Sequence, residues 1–355
     1  MKDRIIFIDR LKGFAIFLVV FGHIIQKHTS DSVLNPLFEA VYSFHMPFFF
    51  FLSGYIAEKT TKIDTLKNYA TFMNKKAISL LIPFFIWPIV VKQYIINHNF
   101  TWSIYELSTE AFHQLSQPSI WFLLSLFKIM IVFSFFVVIA KILRTQNKLG
   151  IDFLVLSFLS LIVFISNPYE YNNIIFLIHT IFFFIGVFLS KHALVYKIFN
   201  NKLIFLSSAI LFLLLINFYQ STAPATNLLK GLKILLIGIL SLCATITLYN
   251  FAKVLELPKW LDNFLQVMGS ATLVIYVTPI NIIPDSFVFS ANYPLLLIAM
   301  GATLIAVVHM YISLGIGKIV ACLPVLNLLL YGKRINIDNV KVKMLKYVPV
   351  MRKYS

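Results

Sequence analysis

The chain has 355 residues, of which 59% are hydrophobic and only 12% are charged, whereas soluble globular chains carry about a quarter charged residues. This composition excludes a soluble globular domain. Apolar runs of about 20 residues, each long enough to cross the hydrocarbon core of a bilayer, recur along the chain. The two cysteines, Cys243 and Cys322, form neither a disulfide framework nor a metal-binding pattern. The sequence therefore predicts a polytopic helical membrane protein.

The predicted spans are about ten in number, and no interval between them is long enough for a separate soluble domain. They cover residues 8–27, 38–57, 77–97, 119–140, 151–167, 174–190, 202–219, 230–250, 267–286 and 294–317. Pro168, Pro279 and Pro284 are expected to shorten or kink the fifth and ninth spans. Because Asp3 and Asp9 interrupt the basic start of the chain, we expect the first span to remain in the mature protein. The predicted fold class is an all-α, polytopic transmembrane helix bundle, with an integral membrane domain over residues 5–332 and a basic tail over residues 333–355.

The distribution of basic residues predicts the orientation of these spans. The net charge is +16, but with ten spans the basic residues fall overwhelmingly on the side that holds both termini. Only Lys27, Lys92 and Lys230 fall on the other side, and Lys128 and Lys233 fall inside spans. The positive-inside rule then predicts that both termini are cytoplasmic. The charge is thus explained by orientation and by attraction to anionic lipid, so no nucleic-acid partner is expected.

The first span, "IDRLKGFAIFLVVFGH", has charged residues at one end and a histidine at the other. Lys12 and His23 are eleven residues apart, which is about three helical turns, so they share one face about 16 Å apart along the axis. Asp9 lies within about 40° of that face, measured around the helix axis, whereas Arg10 points to the other side. This pattern predicts a site that holds an anion at the cytoplasmic end and reacts at the outer end. The alternative is a basic anchor with a histidine hydrogen-bonded between helices.

The second span adds polar groups at membrane depth, where ionisable residues indicate function. His45 is expected at the same depth as His23 in the neighbouring helix, and Ser53 and Tyr55 lie deeper in the motif "SFHMPFFFFLSGY". Pro47 is expected to free a backbone carbonyl. No carboxylate or third histidine stands at a suitable spacing, so no metal site is predicted.

Other candidate residues lie at the ends of later spans. Lys75 and Lys76 stand at the cytoplasmic start of the third span, and Trp121 stands at the outer start of the fourth. Taken alone, the two lysines are typical of positive-inside anchoring and Trp121 is typical of an interfacial aromatic belt. Tyr276 lies in the ninth-span motif "MGSATLVIYVTP".

Together these segments resemble a known family. The motifs "IDRLKGFAIFLVVFGH", "FHMPFFFFLSGY", "KKAISLLIPF", "SIWFLLSLF", "FFFIGVFLSK" and "MGSATLVIYVTP" occur in the order and spacing of the acyltransferase 3 family of integral membrane acyltransferases. The resemblance covers about residues 5 to 332. It implies that His23 is essential for acyl transfer and that Lys12 helps to admit an acyl-CoA donor. Family members usually have arginine at the position of Lys12, and many have a histidine after the tyrosine that corresponds to Tyr276.

The resemblance implies an enzyme that moves an acyl group from cytoplasmic acyl-CoA to a sugar hydroxyl of a cell-surface or lipid-linked polysaccharide. Acetyl is the expected group, and succinyl is the alternative. His23 and His45 are the expected catalytic residues, acting by direct transfer or through an acyl-histidine. The residues expected to bind the donor are Asp9, Lys12, Lys75 and Lys76. The residues expected to bind the acceptor or to line the pocket are Ser53, Tyr55, Trp121 and Tyr276.

The expected location is the inner or plasma membrane. No bound cofactor or metal is expected, because acetyl-CoA is a substrate. The rival functions are a polysaccharide or lipid-linked glycan transporter and a membrane scaffold or sensor. The transporter is less well supported because the sequence shows no inverted repeat and no matched pair of broken helices.

Overall fold

The structure is a computed structural model of the chain. It describes residues 6–29, 35–61, 63, 65–96, 103–116, 120–142, 148–165, 170–219, 227–278, 289–290 and 293–333. Within these ranges the chain is helical, apart from turns and one isolated parallel bridge between Thr29 and Phe289. The all-α class predicted from the sequence is therefore confirmed.

Fifteen α-helices follow one another along the described residues. The first seven are α1 (Ile6–His28), α2 (Pro36–Tyr42), α3 (His45–Thr60), α4 (Leu66–Ile86), α5 (Ile104–Ser116), α6 (Trp121–Ile142) and α7 (Leu149–Ile165), with a π-helix (Trp87–Ile96) after α4. The next four are α8 (Glu170–Lys191), α9 (Ala193–Phe199), α10 (Lys202–Leu215) and α11 (Asn227–Val254). The last four are α12 (Lys259–Ser270), α13 (Thr272–Val277), α14 (Leu295–Ala321) and α15 (Pro324–Tyr331).

Several of these helices are long and apolar enough to cross a membrane. Among the described residues there are five, or six when the bent pair α8 and α9 counts as one span. They are Pro36–Thr60, Lys67–Val91, Trp121–Ile142, Gly231–Val254 and Leu295–Ala321, with Ile175–Lys191 plus Ala193–Phe199 as the bent pair. Large apolar side chains such as Phe153, Leu213 and Leu296 are exposed, which is expected of surfaces that face lipid. The protein is therefore a multi-pass membrane protein, and the count of ten spans and the cytoplasmic termini stay predictions.

Some predicted spans differ in detail from the helices. The second span breaks at Ser43 and Phe44, between α2 and α3. The third begins well before residue 77, because α4 starts at Leu66. The described part of the ninth consists of α12 and α13, and residues 279–288 lie outside the described residues. The amphipathic helix α5 was not predicted, because its short polar sequence carries no span signal.

The chain divides into two compact units. The first contains Met1–Asn68 and Ile131–Leu314, and the second contains Tyr69–Met130 and Gly315–Ser355. In the first unit, α1 packs on α12 and α3 packs on α8 at glycines. A Cβ atom on Gly13 would lie 1.9 Å from the carbonyl oxygen of Leu265, and one on Gly54 would lie 1.8 Å from that of Phe183. Small residues at such contacts let helix backbones approach closely, which is how membrane helices associate.

The kink between α2 and α3 has a defined hydrogen-bond partner. Pro47 lacks an N–H, so the carbonyl of Ser43, four residues earlier, has no intrahelical donor. The hydroxyl of Ser241 on α11 donates to that carbonyl at 3.0 Å, and both serines are completely buried. The carbonyl that Pro47 was predicted to free is thus used to join α11 to the kink.

A buried ionic cluster joins α7 to the bend between α8 and α9. The carboxylate of Asp152 has no exposed surface and lies 2.6 Å from Nζ of Lys191 and 2.8 Å from Nε2 of His192. The ammonium group also lies 5.1 Å from the centre of the Phe136 ring. The sequence assigned Lys191 only to the basic flank of a span.

The second unit is joined by contacts between α15 and the segment from α4 into the π-helix. The indole of Trp87 donates to the carbonyl of Leu330 at 2.7 Å, and its ring lies against Tyr331. Gly332 adopts φ 58° at the end of α15, a conformation that favours glycine. A Cβ atom there would also come within 2.4 Å of the carbonyl oxygen of Ile78.

Candidate active site

The histidine predicted at the end of the first span is an exposed side chain in an otherwise buried stretch of α1. Both neighbours in the chain, Gly22 and Ile24, are buried, whereas the side chain of His23 is exposed. Its imidazole is therefore accessible while the helix around it is packed.

A hydrogen-bond network selects the tautomer of His23. The hydroxyl of Tyr42 donates to Oε1 of Gln26 at 2.8 Å. Nδ1 of His23 lies 3.2 Å from Oε1 of Gln26 and 3.2 Å from the oxygen of Tyr42. Because the proton of Tyr42 is used and the amide oxygen only accepts, Nδ1 of His23 is the nitrogen that donates. The neutral imidazole then carries its lone pair on Nε2, which is the form required of a base.

The position of Tyr42 depends on two features of the local sequence. Gly22 leaves room for the ring, because a Cβ atom there would lie 3.0 Å from Cε2 of Tyr42 and 3.3 Å from Cγ1 of Val41. On its other side the ring packs against Phe38, with 3.9 Å between the ring centres. The glycine before His23 thus allows the tyrosine to reach the imidazole.

The second predicted histidine, His45, lies beside the same tyrosine. Its ring centre is 4.8 Å from that of Tyr42, which in turn contacts His23 with 6.2 Å between ring centres. Its Nδ1 lies 2.8 Å from the carbonyl oxygen of Val41, and a carbonyl can only accept, so Nδ1 donates and Nε2 is unprotonated in the neutral ring. The structure therefore brings the two predicted histidines together, with Tyr42 between them.

Two further histidines extend this group and were missed in the sequence. His309 on α14 lies in the neighbourhood of His23. His179 on α8 lies in the neighbourhood of His45 and stacks on Phe50 with 4.6 Å between ring centres. Both are buried. The available signal was a titratable residue inside an apolar span. Neither histidine lies in one of the quoted motifs, so nothing in the sequence linked their helices to the first two spans.

The cytoplasmic end of the predicted face also has a defined arrangement. Nζ of Lys12 lies 3.4 Å from Oδ1 of Asp9, so these two predicted donor-binding residues are neighbours. Arg10 turns away and binds Asp262 on α12, with 2.6 Å between Nε and Oδ1, and it also donates to the carbonyl of Ala252 at 3.3 Å. The helical phase that separated Lys12 from Arg10 agrees with these contacts.

The predicted pocket residues of the first unit lie on α3 and α13. The hydroxyl of Ser53 donates to the carbonyl of Phe49 in its own helix at 2.9 Å. Tyr55 is half-buried near Tyr196, and Tyr276 is half-buried on α13. All three residues lie in the helix bundle. Their predicted roles in the acceptor site or pocket stay predictions.

The remaining predicted residues, Lys75, Lys76 and Trp121, belong to the second unit. Lys75 is exposed, and Nζ of Lys76 lies 5.5 Å from the centre of the Phe72 ring. Trp121 is half-buried at the start of α6. Their contribution to donor binding or to the pocket stays a prediction.

The described part of the chain holds no group of three or more histidine, cysteine, aspartate or glutamate residues that could bind a metal ion. The described residues instead bring His23, Tyr42 and His45 together inside a multi-pass helix bundle. Titratable residues at membrane depth are typical of integral membrane proteins that have a functional site there.

The comparison with family models identifies the family. The acyltransferase domain of the acyltransferase 3 family matches residues 5–336, so the chain belongs to this family, and the family predicted from the motifs is confirmed. No solved structure matches the chain.

Two curated relatives are both called nodulation protein NolL. The protein of Sinorhizobium fredii (strain NBRC 101917 / NGR234) is 38% identical over 90 residues, which cover 24% of each chain. The protein of Mesorhizobium japonicum (strain LMG 29417 / CECT 9101 / MAFF 303099) is 29% identical over 159 residues, which cover 42% of this chain and 39% of the relative. The chain thus matches less than half the length of either relative.

Proposed function

We propose that the protein is a membrane O-acyltransferase that moves an acyl group, in the first instance acetyl, from cytoplasmic acyl-CoA to a sugar hydroxyl of a cell-surface or lipid-linked polysaccharide. The observation that carries this proposal is the orientation of His23. Its Nδ1 is held by Gln26 and Tyr42, which leaves an unprotonated Nε2 on an exposed side chain. Membership of the acyltransferase 3 family supplies the reaction class.

The proposed reaction begins with a proton transfer to Nε2 of His23 from the acceptor hydroxyl. The hydroxyl oxygen then forms a bond to the thioester carbonyl carbon, and the carbon–sulfur bond of the donor breaks. The thiolate leaves and takes up the proton from the imidazolium, so the products are the ester and free CoA. Tyr42 and Gln26 stabilise the imidazolium because they keep their hydrogen bonds to Nδ1 while the charge develops. His45, whose ring packs against that of Tyr42, is proposed to position the tyrosine.

The donor is proposed to bind with its phosphates at the cytoplasmic end of α1. Lys12 lies on the face of α1 that leads to His23, and it is accompanied by Asp9 at 3.4 Å. Lysine provides the charge for a phosphate but not the bidentate geometry of arginine. Lys75 and Lys76 are proposed to add positive charge at the same membrane surface. This arrangement requires both termini to be cytoplasmic and the protein to reside in the inner or plasma membrane.

The experiment that tests the proposal compares His23→Ala with the unaltered protein in membranes that contain the unacylated glycan. The unaltered protein should consume acetyl-CoA only when the glycan is present, and mass spectrometry should show one added acetyl unit per modified sugar. His23→Ala should accumulate normally and transfer nothing. Near-normal transfer by His23→Ala would overturn the mechanism.

Two further readouts separate the alternatives. Export of the glycan without CoA release would identify a transporter instead of an acyltransferase. Label from acetyl-CoA that stays on the purified protein when no glycan is added, and that His23→Ala fails to acquire, would show transfer through an acyl-histidine. Succinyl-CoA in the same assay defines the acyl group.

A further inference from the structure

Two residues of opposite charge, Glu39 on α2 and Lys233 on α11, lie beside the tyrosine that contacts His23. Glu39 is three residues before Tyr42, so the two side chains occupy neighbouring positions on one face of α2. Lys233 lies in the neighbourhood of Glu39. The sequence placed Lys233 inside a span, where a charged residue indicates function. The structure adds that this charge stands next to the candidate active site.

The end of α10 holds Lys233 close to Tyr42. Nζ of Lys233 lies 5.7 Å from the centre of the Tyr219 ring, a distance at which an ammonium group is attracted by an aromatic ring. Tyr219 in turn lies in the neighbourhood of Tyr42. The same helix packs against the kink between α2 and α3, because the rings of Phe212 and Phe44 meet edge to face with 5.5 Å between their centres. Three helices thus bring Lys233 to the active-site tyrosine.

The register of α2 and α11 agrees with this arrangement. The hydroxyl of Ser241 on α11 donates to the carbonyl of Ser43 just after α2 at 3.0 Å. The two helices run in the same direction here, since the end of α10 that precedes α11 lies beside α2. From the hydrogen bond Glu39 lies four residues, about 6 Å, toward the start of α2, and Lys233 lies eight residues, about 12 Å, toward the start of α11. The remaining difference of about 6 Å along the helices is within the reach of two long side chains.

These charged side chains have surface that a ligand can reach. Glu39, Lys233 and Tyr42 are half-buried, and His23 and Gln26 are exposed. A carboxylate, an ammonium group and an aromatic ring therefore stand side by side at an accessible position next to the imidazole. A few polar groups placed beside aromatic side chains are typical of sites that bind small polar molecules.

We propose that Glu39 and Lys233 bind the acyl acceptor and that the sugar they hold is uncharged. The carboxylate accepts from one hydroxyl of the acceptor and the ammonium group donates to another, while a third hydroxyl reaches His23. An anionic sugar would be attracted by Lys233 but repelled by Glu39, so the pair favours a neutral one. The inference rests on the proposed acyl transfer, and it adds two acceptor-binding residues outside the quoted motifs and the class of sugar.

The test measures Michaelis constants in membranes with radiolabelled acetyl-CoA and the glycan extracted from cells that lack this chain. Glu39→Gln and Lys233→Met each remove one charged hydrogen-bonding group and should raise the KM for the glycan at least about tenfold. The KM for acetyl-CoA should change in neither variant. Glu106→Gln on α5 and Lys197→Met on α9 are the matched controls, because both side chains are exposed, and they should match the unaltered protein.

An exchange of the two charges separates sugar binding from a purely structural ion pair. Glu39→Lys combined with Lys233→Glu keeps both charges beside each other but reverses the positions of the donor and the acceptor. The KM for the glycan should stay raised in this double variant, whereas a structural ion pair would restore it. Lys233→Arg keeps the charge and the N–H donors, so its KM should stay within about threefold, and it covers the case in which Lys233→Met does not fold.

Ionic strength tests the charge of the sugar. Because salt screens interactions between charges, the KM for a neutral acceptor should change less than about twofold between about 0.05 and 0.5 M salt. A KM for the glycan that rises steeply with salt would show that the acceptor is held as an anion, and the neutral class would be wrong.

An unchanged KM for the glycan in both Glu39→Gln and Lys233→Met would overturn the inference, as would full recovery in the exchanged variant. A parallel His23→Ala sample separates these results from the proposed function. If His23→Ala is inactive and the variants of Glu39 and Lys233 match the unaltered protein, only the acceptor contacts are wrong. If the unaltered protein does not acetylate the glycan, or if His23→Ala does, the proposed function itself fails.

Discussion

Tyr42 contacts His23 through its hydroxyl group, which lies 3.2 Å from Nδ1 of the imidazole. Because the same hydroxyl donates to Gln26, its oxygen is free to accept the proton on Nδ1. The contact therefore determines which nitrogen of His23 can act as a base. Two residues that lie nineteen positions apart and on different helices thus determine the protonation of one imidazole.

Replacement of Tyr42 by phenylalanine should reduce turnover without loss of the fold. The variant keeps the ring and removes an oxygen that accepts from Nδ1, so His23 loses part of the network that orients it. One such hydrogen bond contributes about 1 kcal/mol, so kcat should fall by about fivefold, as measured by CoA release. Tyr311→Phe is the matched control, because Tyr311 is exposed on α14, and it should match the unaltered protein. Equal rates for both variants would contradict the proposed orientation of His23.

Gly22→Ala should separate activity from stability. The new Cβ atom would lie 3.0 Å from the Tyr42 ring, so the ring must move away from its position beside His23, and kcat should fall. The crowding costs about 1 kcal/mol, but alanine favours a helix over glycine by about the same amount, so the unfolding temperature should change little.

Gly238→Ala provides the control for this substitution, because a Cβ atom there meets nothing within 4 Å. This variant should keep full activity and become slightly more stable. A loss of activity in Gly238→Ala, or none in Gly22→Ala, would show that the glycine before His23 does not control the position of Tyr42.

The hydrogen bond from Ser241 to Ser43 should depend on Pro47. Ser241→Ala leaves the buried carbonyl of Ser43 without a donor and should lower the free energy of unfolding by about 1–3 kcal/mol. In a Pro47→Ala background the backbone N–H of residue 47 can bond to that carbonyl, so the same serine substitution should cost less. Thermal unfolding in detergent of the four proteins of this cycle measures the coupling. Simply additive effects would mean that the proline does not create the need for Ser241.

The ionic cluster at Asp152 should be sensitive to the loss of one partner. Asp152→Ala removes the carboxylate that lies 2.6 Å from Lys191 and leaves a mostly buried ammonium group, which should cost about 3–5 kcal/mol. The double variant Asp152→Ala with Lys191→Met removes both charges and should recover most of that loss. A double variant as unstable as Asp152→Ala alone would show that the packing of the side chains matters and their charges do not.

The ion pair of Arg10 and Asp262 should make a small contribution to stability that depends on pH. The hydrogen bond from Arg10 holds the pKa of the Asp262 carboxyl below its usual range. A lowered pKa in the folded state means that the stabilisation is complete above the unfolded pKa and is lost as the pH falls through the folded value. Because the pair is partly exposed, it contributes less than about 1 kcal/mol.

Unfolding of the unaltered protein and of Asp262→Asn should therefore differ most at pH 6–7 and converge below about pH 4. Arg10→Ala should show at least the same loss at neutral pH, because it also removes the hydrogen bond to the carbonyl of Ala252. A difference between the two proteins that grows towards acid would contradict the assignment of this ion pair.

Much of the architecture was predictable because hydropathy and helical phase are local properties. The apolar runs indicated a helical membrane protein, and the phase of α1 separated Lys12 from Arg10, which binds α12 instead. Pro47 indicated a freed backbone carbonyl, but the break between α2 and α3 was not predicted, because the apolar run continues through Ser43 and Phe44. The two helices over residues 259–277 were not predicted either, because the amphipathic sequence of α12 lacks the length and hydropathy of a span.

The sequence by itself determined the class of the protein, its family and the two histidines of its first motifs, since each follows from residues close together in the chain. Only the tertiary structure decided which groups meet His23. Tyr42 reaches it because Gly22 leaves space, and His45 packs against the ring of the same tyrosine. Such contacts depend on how helices pack across the bundle, and helix packing is set by the shapes of surfaces that lie far apart in the sequence.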